Sequence, residues 1–181
     1  MVRRLTLREK KNFLDEDLAD ALKGLFVGAV IWVAADTSEL CPFQKGLGMF
    51  TSLVQARALY DFYSPKPADS DDARASHFAP NWGRTGVTRL CTKYMGRGMP
   101  ANKRVFHLVY GRSAHAGGRG HDGPDHIKNQ VLEFAKDLRD LTERFAQSVD
   151  TDFRESAQRA LQKALKGAAE AAHGCGIANP L

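Results

Sequence analysis

The sequence predicts an all-α fold, a single-domain helical bundle of five or six helices. Apolar residues recur three, four or seven positions apart along most of the chain, which is the spacing of amphipathic helices. The prolines fall at the boundaries of these stretches, where helices begin or end. A length of 181 residues suits one domain with a full hydrophobic core, and no linker divides the chain. We therefore treat residues 1–181 as one domain.

The N-terminal region, residues 6–35, is predicted to be helical. Thr6 is the expected cap of a first helix that runs to about Lys23. The leucines of this stretch have helical spacing: Leu7, Leu14, Leu18, Leu22 and Leu25. The run from Leu25 to Ala35 contains β-branched residues that also suit a strand. We favour a helix because its neighbours are helical and the sequence offers no clear partner strand.

A second long helix is predicted from Phe43 to Tyr63, after Pro42 breaks the chain. Its apolar residues form one stripe with others beside it: Leu47, Phe50, Val54 and Ala58, then Met49, Leu53 and Tyr60. The acidic stretch 69–72 is expected to lead into a short helical turn that reaches Phe78. A further short helix is predicted near residues 87–94.

Three helices and one loop complete the predicted bundle. A helix begins at Pro100 and runs to about residue 115, and a glycine-rich loop covers residues 117–124. The clearest helix spans residues 124–149, where apolar residues step by threes and fours. An alanine-rich helix at residues 152–173 closes the chain. The core is expected at about residues 43–149, with the helices of residues 6–35 and 152–173 packed on it.

Composition narrows the function only slightly. Lysine and arginine number 26 against 21 acids, so the net charge is +5 and the pI about 9.2, compatible with a polyanionic partner such as RNA. The cysteines, Cys41, Cys91 and Cys175, form no C-x-x-C pair, which argues against a zinc ribbon or a disulfide framework. We expect reduced thiols, a cytoplasmic location and no membrane span, because the longest apolar run is too short to cross a bilayer.

The stretch N-K-R-V-F-H-L-V-Y-G-R, residues 102–112, contains the candidate chemistry. On a helix, His107 shares a face with Lys103 and Arg104. Nearby cations favour the neutral imidazole that a general base requires, and a helix start offers free backbone N–H groups to an anion. The alternative is a partly buried His107 whose ring nitrogens bond to the backbone or to Tyr60. The residues alone leave both interpretations open.

Several segments together resemble a known family. They are Q-A-R-A-L-Y-D-F-Y at residues 55–63, His77-Phe78, Asn81-Trp82, Asn102-Lys103, His107-Leu108 and Arg112. This pattern resembles a branch of bacterial helical proteins with A-R-x-L-x-x-F and N-K-x-x-x-H-L-x-x-x-R helices. That branch is similar to the HEPN superfamily of α-helical bundles. The resemblance implies an all-α bundle and, where the active motif is complete, a metal-independent ribonuclease of a defence or toxin-type system.

The resemblance also implies roles for particular residues. The HEPN histidine corresponds to His107 and its polar residue to Asn102, but the motif arginine falls at Ala101. The fold is therefore implied, whereas cleavage requires a cation from elsewhere. Arg57 and Arg112 are the candidates to stabilise the charge that develops on the phosphate. For Arg57, an ion pair with Asp61 at i+4 is an equal alternative.

The same region contains candidate RNA contacts, which are Lys103, Arg104 and Arg119. The histidines of the glycine-rich loop, His115, His121 and His126, lack the spacing of a metal site, so we expect neither a metal nor a cofactor. HEPN relatives commonly pair through the motif helix, which here has apolar residues on more than one side, so a homodimer is expected.

Three function classes therefore remain. The first is a metal-independent endoribonuclease, and the second is an RNA-binding relative that has lost cleavage. The third is a non-catalytic helical module that binds another protein. The basic pI favours the first two classes, and the missing arginine at Ala101 favours the last two.

Overall fold

The computed structural model of the protein describes residues 6–35, 40–64, 73–83 and 124–181. Within these ranges the chain is helical and contains no strand, which confirms the predicted all-α fold class. The described part of the chain contains four long helical segments, against five or six helices predicted for the whole. The helices predicted near residues 87–94 and at residues 100–115 lie outside the described residues.

The first helical segment is one continuous rod. Helix α1, Leu7–Asn12, continues through a π-helical turn, Phe13–Leu18, into α2, Ala19–Ala34. Thr6 caps it as predicted, because its hydroxyl accepts the Glu9 N–H at 3.2 Å while the Glu9 carboxylate accepts the Thr6 N–H at 2.8 Å. The run from Leu25 is helical, as we favoured. The break predicted near Lys23 is absent, since no proline interrupts the rod.

Three further helices lie close to their predicted positions. They are α3, Pro42–Tyr63, α4, Pro124–Ser148, and α5, Thr151–Gly174, and a 3-10 turn, Ala75–His77, precedes α4 in the chain. Pro42 and Pro124 open their helices, where the missing N–H of proline costs no helical hydrogen bond. After α5, Gly176 adopts a left-handed φ of 67°, and the Ile177 N–H donates to the Ala172 carbonyl at 3.0 Å.

Helix α2 packs against both α3 and α5. On the α5 side, a Cβ atom added to Gly167 would lie 3.0 Å from the Lys23 side chain of α2, and five alanines of α5 are fully buried: Ala157, Ala160, Ala164, Ala168 and Ala172. Towards α3 the two backbones nearly touch. A Cβ atom added to Gly28 would lie 2.8 Å from the Ser52 amide nitrogen and 2.9 Å from the Gly48 carbonyl oxygen. Small residues at one crossing point allow this close approach.

An aromatic cluster joins the π-helical turn, residues 73–83, α4 and α5 to the end of α3. Its members come from the π-helical turn, the end of α3, the 3-10 turn with its following residues, α4 and α5: Phe13, Phe62, Tyr63, Phe78, Trp82, Phe145 and Phe153. The Trp82 and Phe145 ring centroids are 5.3 Å apart with the rings nearly perpendicular, an edge-to-face geometry. The indole N–H of Trp82 also donates to the Tyr63 carbonyl at 3.2 Å. Residues 73–83 are thereby fixed to α3 and α4.

One buried hydrogen bond links α3 to α4. The Tyr63 hydroxyl and the Thr142 hydroxyl oxygen are 2.9 Å apart, and Thr142 donates to the Leu138 carbonyl at 2.7 Å. Because Thr142 has one hydroxyl proton, Tyr63 is the donor in the pair. Both residues are at most 1% exposed. Burial raises the pKa of Tyr63, and the hydrogen bond with Thr142 offsets part of that rise.

The crossing of α2 and α3 predicts opposite effects for two glycines. Gly28→Ala places a methyl group against backbone atoms, so we expect a loss of about 1–3 kcal/mol in the free energy of unfolding. Gly46→Ala is the matched control in α3, because a Cβ there meets no atom within 4 Å. It should gain roughly 0.5–1 kcal/mol from helix propensity. Urea denaturation measures both changes, and a gain in stability for Gly28→Ala would contradict the described contact.

The Tyr63–Thr142 bond predicts unequal costs for removing its two partners. Thr142→Val leaves the buried Tyr63 hydroxyl with no acceptor at this position, so we expect a loss of about 1–3 kcal/mol. Tyr63→Phe removes that hydroxyl while Thr142 keeps its bond to Leu138, so the loss should be only about 1 kcal/mol. Thermal and urea unfolding of both variants compares the two values. Equal costs would show that the donor assignment is wrong.

Candidate functional site

One of the predicted site residues, Arg57, lies within the described part of the chain. Its Nε donates to an Asp61 carboxylate oxygen at 2.8 Å, and its guanidinium lies 5.7 Å from the centre of the Tyr60 ring. The ion pair that the i+4 spacing allowed is therefore formed. The other predicted site residues lie outside the described residues: Asn102, Lys103, Arg104, His107, Arg112 and Arg119. Their predicted roles remain predictions.

A cleft of about 440 Å³ lies beside this ion pair, between the π-helical turn and the second half of α3. Phe13 and Phe62 contribute to its apolar wall, and its polar lining includes Asp17, Asp61 and Arg74. The Arg74 guanidinium donates to the Asp61 carbonyl, which joins residues 73–74 to the end of α3. π-Helical turns inserted in α-helices are frequently found at functional sites. This cleft therefore offers two carboxylates and a guanidinium next to an apolar surface.

His77, at the end of the 3-10 turn, lies among cations. Its Nδ1 accepts the Arg74 N–H at 3.3 Å, and its carbonyl accepts from the Lys10 ammonium at 2.7 Å. Partial burial, followed by the charges of Lys10 and Arg74, lowers the pKa of His77. Sequence reasoning used His77 only as part of a family pattern. Nothing in its spacing showed that Lys10, from the first helix, packs against this turn.

The charge of the chain is unevenly divided. In the described ranges, acidic and basic side chains are equal in number, so the excess of +5 belongs to the other residues. Residues 84–123, which we call the basic segment, have a net charge of +7, more than the whole excess, because the remaining residues outside the described ranges are together net acidic. Asp122 is its one acid, and its cations are Arg84, Arg89, Lys93, Arg97, Lys103, Arg104, Arg112 and Arg119. The sequence bracketed by Trp82 and α4 is thus strongly basic.

Helix α3 carries large apolar side chains that face solvent in the described structure. We call Phe43, Leu47, Phe50 and Val54 the α3 stripe, with exposed fractions of 77%, 52%, 60% and 37%. The opposite side of the helix is buried against α2 and α4, with Ser52, Leu59 and Tyr63 at most 1% exposed. Sequence periodicity predicted a stripe of Leu47, Phe50, Val54 and Ala58 but not its exposure, because α3 is apolar on more than one side.

Among the described residues, no group of three or more metal-ligating side chains occurs. In the same ranges, no helix combines the length and the apolar character needed to cross a bilayer.

No family model, no curated protein and no solved structure matched the chain. The resemblance to HEPN proteins therefore rests on the residue pattern alone.

The surroundings of His77 predict a pH effect on stability. A lowered pKa means that the unfolded chain takes up this proton first, near the ordinary value of about 6.5. The stability that neutral His77 contributes is present above that pH and is lost as the pH falls through the lower folded-state pKa. We expect His77→Gln to reduce the fall in urea midpoint between about pH 7.5 and 5.

Ser76→Ala is the control for this measurement, because Ser76 is an exposed, non-titrating neighbour in the same turn. It should keep the pH response of the wild type. An equal pH response in the wild type and in His77→Gln would exclude His77 as a contributor.

Proposed function

We propose that the protein is an RNA-associated helical protein in which the basic segment contacts the RNA and the helical bundle supports it. The observation that carries this proposal is the division of charge between a balanced bundle and a segment with a large excess of cations. Phosphate contacts by lysine and arginine supply most sequence-independent affinity for nucleic acid. Lys103, Arg104 and Arg119 are the contacts that we propose.

The bundle is suited to this supporting role. Trp82 lies two residues before the basic segment, is 7% exposed and is held by the Tyr63 carbonyl and the Phe145 ring. On the other side, α4 begins at Pro124, directly after the segment. The chain therefore enters and leaves the basic segment from elements of the bundle. Rigid elements on both sides reduce the entropy that the segment loses when it binds.

Cleavage of the RNA is a further part of the proposal. In that reaction, His107 takes the proton of a 2′-hydroxyl, whose oxygen attacks the adjacent phosphate to form a 2′,3′-cyclic phosphate. The displaced 5′-oxygen takes up a proton from water and leaves as a hydroxyl. Asn102 and an arginine, Arg112 or Arg57, stabilise the phosphorane. Arg57 is held by Asp61 in the described structure, so it must exchange this partner to take part. With Ala101 in place of the motif arginine, RNA binding without cleavage is the simpler form of the proposal.

A second candidate function is a non-catalytic module that binds another protein. The exposed α3 stripe favours it, because four large apolar side chains in helical register are unusual on a surface that meets only water. This function requires neither His107 nor the basic segment.

The RNA proposal predicts a salt-dependent affinity that depends on the basic segment. Lys103→Glu combined with Arg104→Glu should weaken binding of a single-stranded RNA oligonucleotide by about tenfold or more at low salt, since each lost phosphate contact removes a favourable ion release. The slope of log affinity against log salt should fall by about one per contact. Fluorescence anisotropy between about 50 and 200 mM salt measures both quantities.

The matched control reverses two exposed charges on the bundle, Arg154→Glu with Lys166→Glu in α5. This control should keep the affinity of the wild type within a few-fold. Equal losses in both variants, or no RNA binding by the wild type at low salt, would contradict the proposal. In the same samples, His107→Ala separates binding from chemistry: it should abolish any cleavage and leave binding and melting temperature nearly unchanged.

A further inference from the structure

We propose that the α3 stripe is the interface between two copies of this chain, paired antiparallel about a two-fold axis. The inference rests on the second candidate function and is independent of RNA association. Phe43, Leu47, Phe50 and Val54 follow one another at intervals of four, three and four residues. This alternation is the seam of a two-stranded coiled coil, in which each apolar side chain packs between residues of a facing helix.

The size of the stripe suits a dimer. With roughly 200 Å² for each phenylalanine side chain, the exposed fractions of Phe43 and Phe50 leave about 270 Å² of ring surface in each copy. Two copies bring more than about 500 Å² of phenylalanine surface together, and Leu47 and Val54 raise the total to roughly 800 Å², below the roughly 1,200 Å² at which standard-size interfaces begin. An interface of this size fits a weak, reversible dimer.

The order of the side chains favours antiparallel pairing. When Leu47 faces Phe50 of the second copy, Phe43 faces Val54, so each of the four layers contains one aromatic and one aliphatic side chain. The layers then have similar volumes, which differ by one methylene group. Parallel pairing places phenylalanine on phenylalanine in two layers and valine on valine in another, which leaves gaps and crowding in alternate layers. Gly46, exposed beside the stripe with no atom within 4 Å of an added Cβ, leaves room for a close approach.

Charge also favours a second copy over other occupants. Between residues 43 and 56, Lys45 is the one charged residue, and helical geometry places it on the side of α3 away from the stripe. Self-pairing therefore brings no like charges together. An anionic lipid surface or a nucleic acid requires several cations around the apolar residues, whereas this face of α3 has one, Arg57, which follows Val54 by one turn and is paired with Asp61. The stripe is complementary to an apolar, uncharged surface, and residues 43–54 on the same face of a second α3 have that character.

The dimer predicts a specific loss of association in one variant. Sedimentation velocity between about 5 and 200 μM should show the wild type passing from monomer to dimer. Phe50→Glu buries two unpaired carboxylates at the seam and should raise the dissociation constant by at least about 100-fold. Gln158→Glu adds the same charge to an exposed position on α5 and should change it by less than about twofold.

Three results would overturn the inference. A monomeric wild type at 200 μM excludes this dimer, and a dimer that persists in Phe50→Glu lies on another surface. A monomeric wild type whose melting temperature falls sharply in Phe50→Glu means that the stripe is covered within one chain. RNA binding by the monomer leaves the RNA proposal intact in all three cases, so the two failures are distinguishable.

The orientation is tested by spin labels on single cysteines introduced at Gln44 and Ala58, with the native cysteines replaced by serine. In the antiparallel register, the two labels at position 44 are offset by about 14 Å along the helix axis and those at position 58 by about 29 Å, from the rise of about 1.5 Å per residue. Parallel pairing gives nearly no offset at either position. Similar distances at both positions would therefore overturn the antiparallel arrangement.

Discussion

The backbone contact between α2 and α3 at Gly28 and Gly48 determines how the rest of the described structure is arranged. Once the two helices touch there, α3 can rotate very little about its own axis, since an added Cβ at either glycine lies within 3 Å of a neighbouring atom. This fixed rotation directs Phe62 and Tyr63 into the aromatic cluster and turns Phe43 and Phe50 outwards. The buried and exposed faces of α3 are thus two results of one contact.

The aromatic cluster connects α3 to the parts of the chain nearest the candidate site. Tyr63 connects α3 to α4 through Thr142 and to residues 73–83 through Trp82. Each of these contacts is buried, so water competes with none of them and each donor or acceptor depends on its partner. The same few side chains therefore position the cleft beside Arg57 and the turn that contains His77. They also position the elements on both sides of the basic segment.

The sequence was sufficient for the fold class because helix signals act locally. Thr6, Pro42 and the apolar steps of α4 each determine a helix within a few residues, and each was identified correctly. Contacts between distant residues were not predictable. Local spacing allowed Arg57 to bind either Asp61 or a phosphate, and it could not show that Lys10 meets His77 or that one apolar face of α3 stays exposed. The roles of Asn102, His107 and Arg112 remain predictions because those residues lie outside the described ranges.

The packing of Trp82 makes this residue useful as an intrinsic fluorescence probe. The chain has two tryptophans, and both are buried. Trp32 lies in the core, and Trp82 lies two residues before the basic segment. Indole emission depends on the polarity around the ring, and Trp82 lies in a buried site between the rings of Tyr63 and Phe145. Replacing Trp32 with phenylalanine leaves a single emitter, two residues from where the basic segment begins. Its spectrum and quenching report events at that junction without a label.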